Sequence, residues 1–202
     1  MVMGVVLAYL LGSIPTAVWY GKIFHGVDVR QHGSGNAGAT NSLRTFGRKA
    51  GIIVLLIDFL KGFLAVEAAH LLFPDANKYL FLLMGIAAVA GHLFPVFAQF
   101  RGGKGVATAL GVIAASFPYT VIICLAVFLL IVFTTRYVSL GSILSALFFP
   151  IQIAFNVWGI NPDKDPYYLA FGCVLFVVLV FTHRHNIQRL MNGTENKFGT
   201  KK

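Results

Sequence analysis

Six apolar runs constrain this chain more than any other feature. They lie near residues 3–24, 51–73, 79–98, 106–134, 140–158 and 167–182. Most have the length, roughly 20 residues, that lets a helix cross the hydrocarbon core of a bilayer. Only 11% of the 202 residues are charged, against about a quarter in ordinary soluble domains. The reading is a single integral membrane domain over residues 1–202, with no linker, low-complexity tract or internal repeat. The first run has no basic residue before it and no small-residue cleavage site, so an uncleaved first span is expected rather than a signal peptide.

The fourth run is too long for one comfortable span and contains Ser116-Phe117-Pro118. Proline disfavours helical geometry in the residue before it, so the run is one kinked helix or a hairpin of two. Charge decides. Of the 16 Lys and Arg residues, a hairpin puts only Lys78 and Lys164 on one side and Lys61 within a span, with the other thirteen together. A single kinked helix divides them about eight to seven. Because positive loops favour the cytoplasm, the expected fold is an all-α bundle of seven transmembrane helices. The N-terminus lies outside and the C-terminus in the cytoplasm.

The formal charge of +9 invites comparison with nucleic-acid binders. Basic residues flanking spans account for it, and no nucleic-acid partner is expected. Cys124 and Cys173 lie inside apolar runs and are expected to be buried thiols. His25, Asp28 and His32 lack metal-ligand spacing, so neither a metal nor a cofactor is expected.

Three polar islands interrupt the apolar pattern: Gly33–Arg44, Phe100–Gly105 and His183–Arg189. The chosen topology puts all three on the cytoplasmic side. Glycines in the first permit close approach of backbone to an anion, and successive N–H groups can form a nest. Ser34, Asn36, Thr40 and Asn41 add short donors, and Arg44 and Arg48 lie one helical turn apart. The second sets Lys104 among Gly102, Gly103 and Gly105 at the start of an apolar helix, an arrangement suited to anions. It is not a Walker A loop, because Ala98 stands where the first glycine belongs. The third offers His183, His185, Asn186 and Arg189 for hydrogen bonding or proton transfer. Taken singly, each island also reads as a polar turn, a helix cap or a headgroup-binding tail.

Asp58 and Lys61 lie three residues apart inside the second run and can pair on one helix face. Such charges usually face a bundle interior. Glu67 has no evident partner, and His92 is expected to pack or cap.

Together these residues resemble the bacterial acyl-phosphate:glycerol-3-phosphate acyltransferases of the PlsY type. The matching stretches are GSGNAGATNSLR, DFLKG at Asp58–Gly62, GHLFPVFAQFRGGKGVATALG at Gly91–Gly111, RYVSLGSI at Arg136–Ile143 and HRHNIQRLMNGTE at His183–Glu195. The resemblance implies transfer of a fatty acyl group from acyl-phosphate to the 1-hydroxyl of sn-glycerol 3-phosphate. Lysophosphatidic acid and phosphate would be released at the cytoplasmic face of a bacterial cell membrane. It also implies that the islands form the active site. A functional hand-off from a soluble enzyme that forms acyl-phosphate would follow.

On this reading Ser34, Gly35, Asn36, Thr40, Gly102 and Gly103 cradle phosphate. Arg44, Lys104 and Asn186 bind the acceptor, and Ser139, Ser142, His183 and Arg189 support them. Ser34, Asn36 and Lys104 are the catalytic candidates. The competing reading is a transporter of a phosphorylated metabolite, whose polar helix breaks would line a pathway. The crowding of the islands on one face and the absence of repeat symmetry speak against it. His70 and Asp75 fit the H-x4-D pattern of another glycerolipid acyltransferase class. The topology puts that pair on the outer side, so it is read as a decoy.

Overall fold

A computed structural model describes residues 1–75 and 77–199. Among them all regular structure is helical: α1 Val2–Gly12, α2 Thr16–His25, α3 Ala39–Phe46, α4 Arg48–Leu72, α5 Lys78–Leu93, α6 Val106–Ser116, α7 Pro118–Thr135, α8 Val138–Ala154, α9 Pro166–Thr182 and α10 Arg184–Met191. Three stretches are long and apolar enough to cross a membrane: Val2–His25, Lys78–Ala98 and Pro118–Thr135. A fourth qualifies if α9 is counted with α10, from which it bends by 61°. The α4 helix is 25 residues long but carries Asp58, Lys61 and Glu67. The shorter α6 and α8 are apolar.

The helices gather into two compact units, Met1–Ser116 and Phe117–Lys202. In the first, α4 packs on α6 and α1 on α5. Lipid tails are as apolar as leucine, so helix association relies on close packing rather than on the hydrophobic effect. Glycine supplies that closeness. Gly62 of α4 lies against the Thr108 carbonyl and Gly111 of α6 against the Phe59 carbonyl, so a Cβ at either would strike backbone. Gly12 and Gly91 do the same for α1 and α5, against Ala88 and Tyr9. Ala8, Ala65, Ala69, Met84 and Ala88 fill the core between them. On the outside of α4, Ile52, Leu55, Leu56, Leu60 and Leu64 are exposed, as lipid-facing residues would be.

The first apolar run is not the continuous helix expected. It breaks at Ser13–Pro15, because Pro15 has no N–H for the ladder. Broken backbone at membrane depth needs other partners, and the Ile14 carbonyl accepts a 2.8 Å hydrogen bond from Lys61 Nζ.

In the second unit, α7 packs on α8 and α8 on α9. Gly141 approaches Val132 and the Phe128 carbonyl, while Gly172 approaches Pro150 and Ile153. Phe117, Phe149, Tyr168 and Phe171 make edge-on and tilted ring contacts. Cys124 is buried as expected, but Cys173 is exposed on α9. An apolar residue need not be buried, because a lipid-facing helix surface is apolar too.

Candidate active site

The first island is a loop held from within. Gly33 and Gly35 take positive φ values of 59° and 73°, a region open to glycine at little cost. The loop folds around Asn41, which is 1% exposed. Its amide donates to the carbonyls of Val29 and His32 at 3.0 and 2.9 Å. Its oxygen accepts the Ser34 N–H at 2.8 Å, and the Gly35 N–H bonds the His32 carbonyl. Those two N–H groups are therefore engaged inside the loop. What the island presents outward is the exposed Ser34, half-buried Asn36 and Thr40, and Arg44 on the exposed face of α3.

The second island turns back on the end of α5. Gln99 and Phe100 both have φ of 58°. The Gly102 N–H then bonds the Leu93 carbonyl at 3.1 Å and the Gly103 N–H bonds the His92 carbonyl at 3.2 Å. A Cβ on Gly103 would meet the His92 ring and the Ala37 carbonyl, and one on Gly102 would meet the His92 carbonyl. Gly102 and Gly103 thus act sterically, letting the strand of chain that carries Lys104 lie flat on α5. Lys104 follows, half-buried, then Gly105 at φ 82° and the first turn of α6. The N-terminal amides of a helix favour negative charge.

The two islands meet within this unit. Gly103 lies against Ala37, and Arg30 Nη1 donates to the carbonyls of Ala98 and Arg101 at 2.9 and 3.3 Å. Beneath them is a buried charge cluster. Asp58 and Lys61 pair at 2.8 Å with side chains 3% exposed. The Thr16 hydroxyl donates to Asp58 at 2.9 Å, and His92 Nδ1 lies 3.6 Å from the same carboxylate oxygen. With Gly102, Gly103 and Ala37 they line a recess of about 10 Å³, room for about one water. The intramembrane charges expected to face an interior do so, and His92 joins them rather than only capping a helix.

In the second unit the polar residues converge on one carboxylate. Glu195 accepts from Ser139 Oγ at 2.8 Å, Asn186 Nδ2 at 2.6 Å and Arg189 Nε at 2.7 Å. Its side chain is 4% exposed. Burial opposes its ionisation, but the hydrogen bonds from Asn186, Arg189 and Ser139 prevail and hold its carboxyl below the ordinary value of 4.5. Ser142 bonds the Val138 carbonyl of its own helix at 2.9 Å. His183 is 3% exposed, and its Nδ1 lies 2.8 Å from the Leu179 carbonyl. A carbonyl can only accept, so the proton sits on Nδ1 and the tautomer is fixed.

Sequence reasoning missed three residues: Arg30, Asn41 as a loop organiser, and Glu195. Their partners lie 68 to 71 positions away for the Arg30 carbonyls and 56 for Glu195 to Ser139. Only the Glu at the end of HRHNIQRLMNGTE gave a local hint. Glu67, expected without a partner, lies 3.8 Å from His70 across one turn. Asp28, weighed as part of a metal set, is instead gripped at both oxygens by Arg30, at 3.0 and 2.6 Å.

A loop of glycines and short hydroxyls beside a lysine turn at a helix N-terminus can hold phosphate and bring a second reactant to it. Comparisons with known proteins give the family. A profile described as "Glycerol-3-phosphate acyltransferase" matches residues 2–193. The chain is 45% identical to a glycerol-3-phosphate acyltransferase of Chlorobaculum tepidum, over 98% of this chain and 97% of that protein. It is similar to the crystal structure of PlsY, described as an integral membrane glycerol 3-phosphate acyltransferase. In the glycerol 3-phosphate form the TM-score is 0.88 at 40% identity, covering 98% of this chain and 96% of that one. In the lysophosphatidic acid form the TM-score is 0.85, again at 40% identity, covering 98% and 95%. The chain belongs to the glycerol-3-phosphate acyltransferase family, and it is an all-helical integral membrane protein.

Proposed function

We propose, from that membership, that the chain transfers a fatty acyl group from acyl-phosphate to the 1-hydroxyl of sn-glycerol 3-phosphate at the cytoplasmic face of a bacterial cell membrane. The observation that carries the local assignment is the folding of the Ser34 loop onto the Lys104 turn at the head of α6. The thirteen-to-two distribution of cations supports seven crossings with the C-terminus in the cytoplasm. The separate helices α6 and α7 on either side of Phe117 suit that count. One membrane domain carries the whole reaction.

In the reaction, the acceptor hydroxyl oxygen attacks the carbonyl carbon of the acyl-phosphate. The carbon–oxygen bond to phosphate breaks, phosphate leaves, and the hydroxyl proton goes to a phosphate oxygen of a substrate. No covalent enzyme intermediate is required, because the donor is already an activated mixed anhydride. Holding the two reactants in register supplies about 7–11 kcal/mol of barrier reduction in favourable cases. Ser34, Asn36 and Thr40 donate to phosphate through their side chains. Gly35, Gly102 and Gly103 shape the backbone of the phosphate cradle, and Arg44 and Lys104 bind the acceptor phosphate. Lys104 also stabilises charge developing on the reacting groups. Asn186, Ser139, Ser142, His183 and Arg189 remain substrate-binding assignments on the motif. A soluble enzyme that forms acyl-phosphate would hand over the donor.

The test is an assay of purified protein with acyl-phosphate and glycerol 3-phosphate. Product should be 1-acylglycerol 3-phosphate, with little from matched acyl-CoA or acyl-carrier protein, and inorganic phosphate should compete with the donor. Comparable rates with acyl-CoA, or donor-independent uptake of glycerol 3-phosphate into sealed vesicles, would overturn the reading.

A further inference from the structure

The turn that delivers Lys104 carries backbone strain that its own hydrogen bonds, Arg101 N–H to the Ala98 carbonyl at 3.2 Å and Phe100 N–H to the Pro95 carbonyl at 2.9 Å, share with a residue from outside it. Gln99 and Phe100 are consecutive non-glycine residues in the left-handed region, both at φ 58°. L side chains rarely adopt that conformation, and two in succession are rarer still. Both side chains are exposed, Phe100 at 59%, so neither is held by packing. Strained backbone persists only where surrounding structure over-determines it.

The outside constraint comes from a residue about 70 positions earlier. The carbonyls on either side of the strained pair, those of Ala98 and Arg101, both accept from Arg30 Nη1. The other edge of the same guanidinium is fixed by Asp28, which receives Nε at 3.0 Å and Nη2 at 2.6 Å. Asp28 is itself locked, because its carboxylate also accepts the Arg30 backbone N–H at the start of the short turn Val29–Gln31. A planar five-donor group can serve a carboxylate and two carbonyls at once; an ammonium cannot match that fork. Arg30 thus joins the base of the first island to the turn of the second.

We infer that Arg30, oriented by Asp28, is a positioning residue that clamps the Gln99–Phe100 turn and so sets the place of Lys104. The inference rests on the assignment of Lys104 to the acceptor phosphate, and its tests separate the two. Misplacement of a binding group by about 1 Å can cost on the order of 10²-fold in rate. Arg30→Gln and Arg30→Lys should therefore each lose roughly tenfold to a hundredfold in kcat/KM. The loss should fall on kcat and on KM for glycerol 3-phosphate, with KM for acyl-phosphate little changed. Lysine should fail nearly as badly as glutamine, because charge alone does not make the fork. Guanidinium added at millimolar concentration should restore part of the activity of Arg30→Ala, and an alkylammonium ion should not.

A second measurement is independent of catalysis. Hydrogen exchange of the segment 94–105 should speed up in Arg30→Lys, while α4 and the body of α5 stay protected. That result stands even if the wild-type protein acylates nothing, in which case the function fails and the clamp survives. A loss falling on the acyl-phosphate KM would likewise uphold the clamp and reassign Lys104. Unchanged exchange in 94–105 together with kcat/KM within twofold of wild type would overturn the inference. So would global unfolding of both Arg30→Gln and Arg30→Lys, which would make Arg30 a general stability residue.

Discussion

The Lys104 turn and the Glu195 cluster solve the same problem in opposite ways. Around Lys104, buried and half-buried polar side chains reach back to main-chain carbonyls: Asn41 to Val29 and His32, Arg30 to Ala98 and Arg101, Lys61 to Ile14. Around Glu195 the order is reversed. Ser139, Asn186 and Arg189 all donate inward to one carboxylate. The first region distributes its support over many acceptors. The second concentrates it on a single residue, so the two should fail differently.

The largest effect is expected where support is concentrated. Glu195→Ala would leave donors on Asn186 and Ser139 without their acceptor, and a buried donor left unsatisfied costs about 1–3 kcal/mol. The Arg189 pair is discounted, since that side chain is 36% exposed. Loss of most activity together with a lowered melting temperature is the expected outcome. A variant with wild-type thermal stability would mean that the three donors find water or one another, and the contrast drawn above would collapse.

Lys104→Gln should separate function from fold. It removes a charge assigned to substrate phosphate, where a desolvated ion pair is worth about 2–5 kcal/mol. That corresponds to roughly 30-fold or more in kcat/KM. The melting temperature should fall less than in Glu195→Ala, because the turn is also fixed by Arg30 and by the Gly102 and Gly103 hydrogen bonds. Near-normal turnover by the folded variant would remove Lys104 from the site.

Acid offers a graded version of the comparison. Glu195 has its folded value lowered from 4.5, and the Arg30 hydrogen bond lowers Asp28 from 3.8. A depressed carboxyl stabilises the fold above its ordinary value, and that contribution is lost as pH falls through the folded value. Unfolding followed by fluorescence should therefore show constant contributions from both above 4.5 and a decline below it. The onset should be higher for Glu195, whose ordinary value is the higher of the two. In Glu195→Gln the component from Glu195 should vanish while the Asp28 component remains. An unchanged acid profile in that variant would show that Glu195 does not govern acid stability.

How much of this was legible in sequence follows from how local each feature is. The apolar runs announced the helices, and Ser116-Phe117-Pro118 announced the boundary between α6 and α7, because span length and proline act locally. The break at Ser13–Pro15 carried a proline too, but the run's hydrophobicity masked it. Asp58 and Lys61 could be paired by helical spacing alone; their contacts to Thr16 and Ile14 could not. Lys104, Ser34 and Asn36 stood out by composition of their loops. The bracing residues did not, since an arginine or asparagine bonded to distant carbonyls looks in sequence like any polar loop residue. Reading the glycines as N–H donors was likewise a local inference. The folded chain uses the N–H groups of Gly35, Gly102 and Gly103 internally; Gly102 and Gly103 provide close approach of backbone, and Gly35 provides a positive φ.

The smallest expected effect tests whether the chemistry is confined to the loops just described. His70 and Asp75 match the H-x4-D pattern, yet His70 pairs with Glu67 at 3.8 Å and sits edge-on against Phe81 at 4.1 Å. It lies in the last turn of α4, 22 residues beyond Arg48 at the helix start. At 1.5 Å per residue that is roughly 33 Å along the helix axis, a whole membrane thickness away from the end that joins the first island. The side chains of His70 and Glu67 are 41% and 37% exposed, and an exposed pair of this kind contributes about 0–1 kcal/mol. His70→Ala should keep turnover within about twofold of wild type and shift stability by no more than about 0.5 kcal/mol. If a folded His70→Ala protein lost its acyltransferase activity, proton transfer would have to occur at the far end of α4. Neither the Ser34 loop nor the Lys104 turn could then be where the acyl group moves.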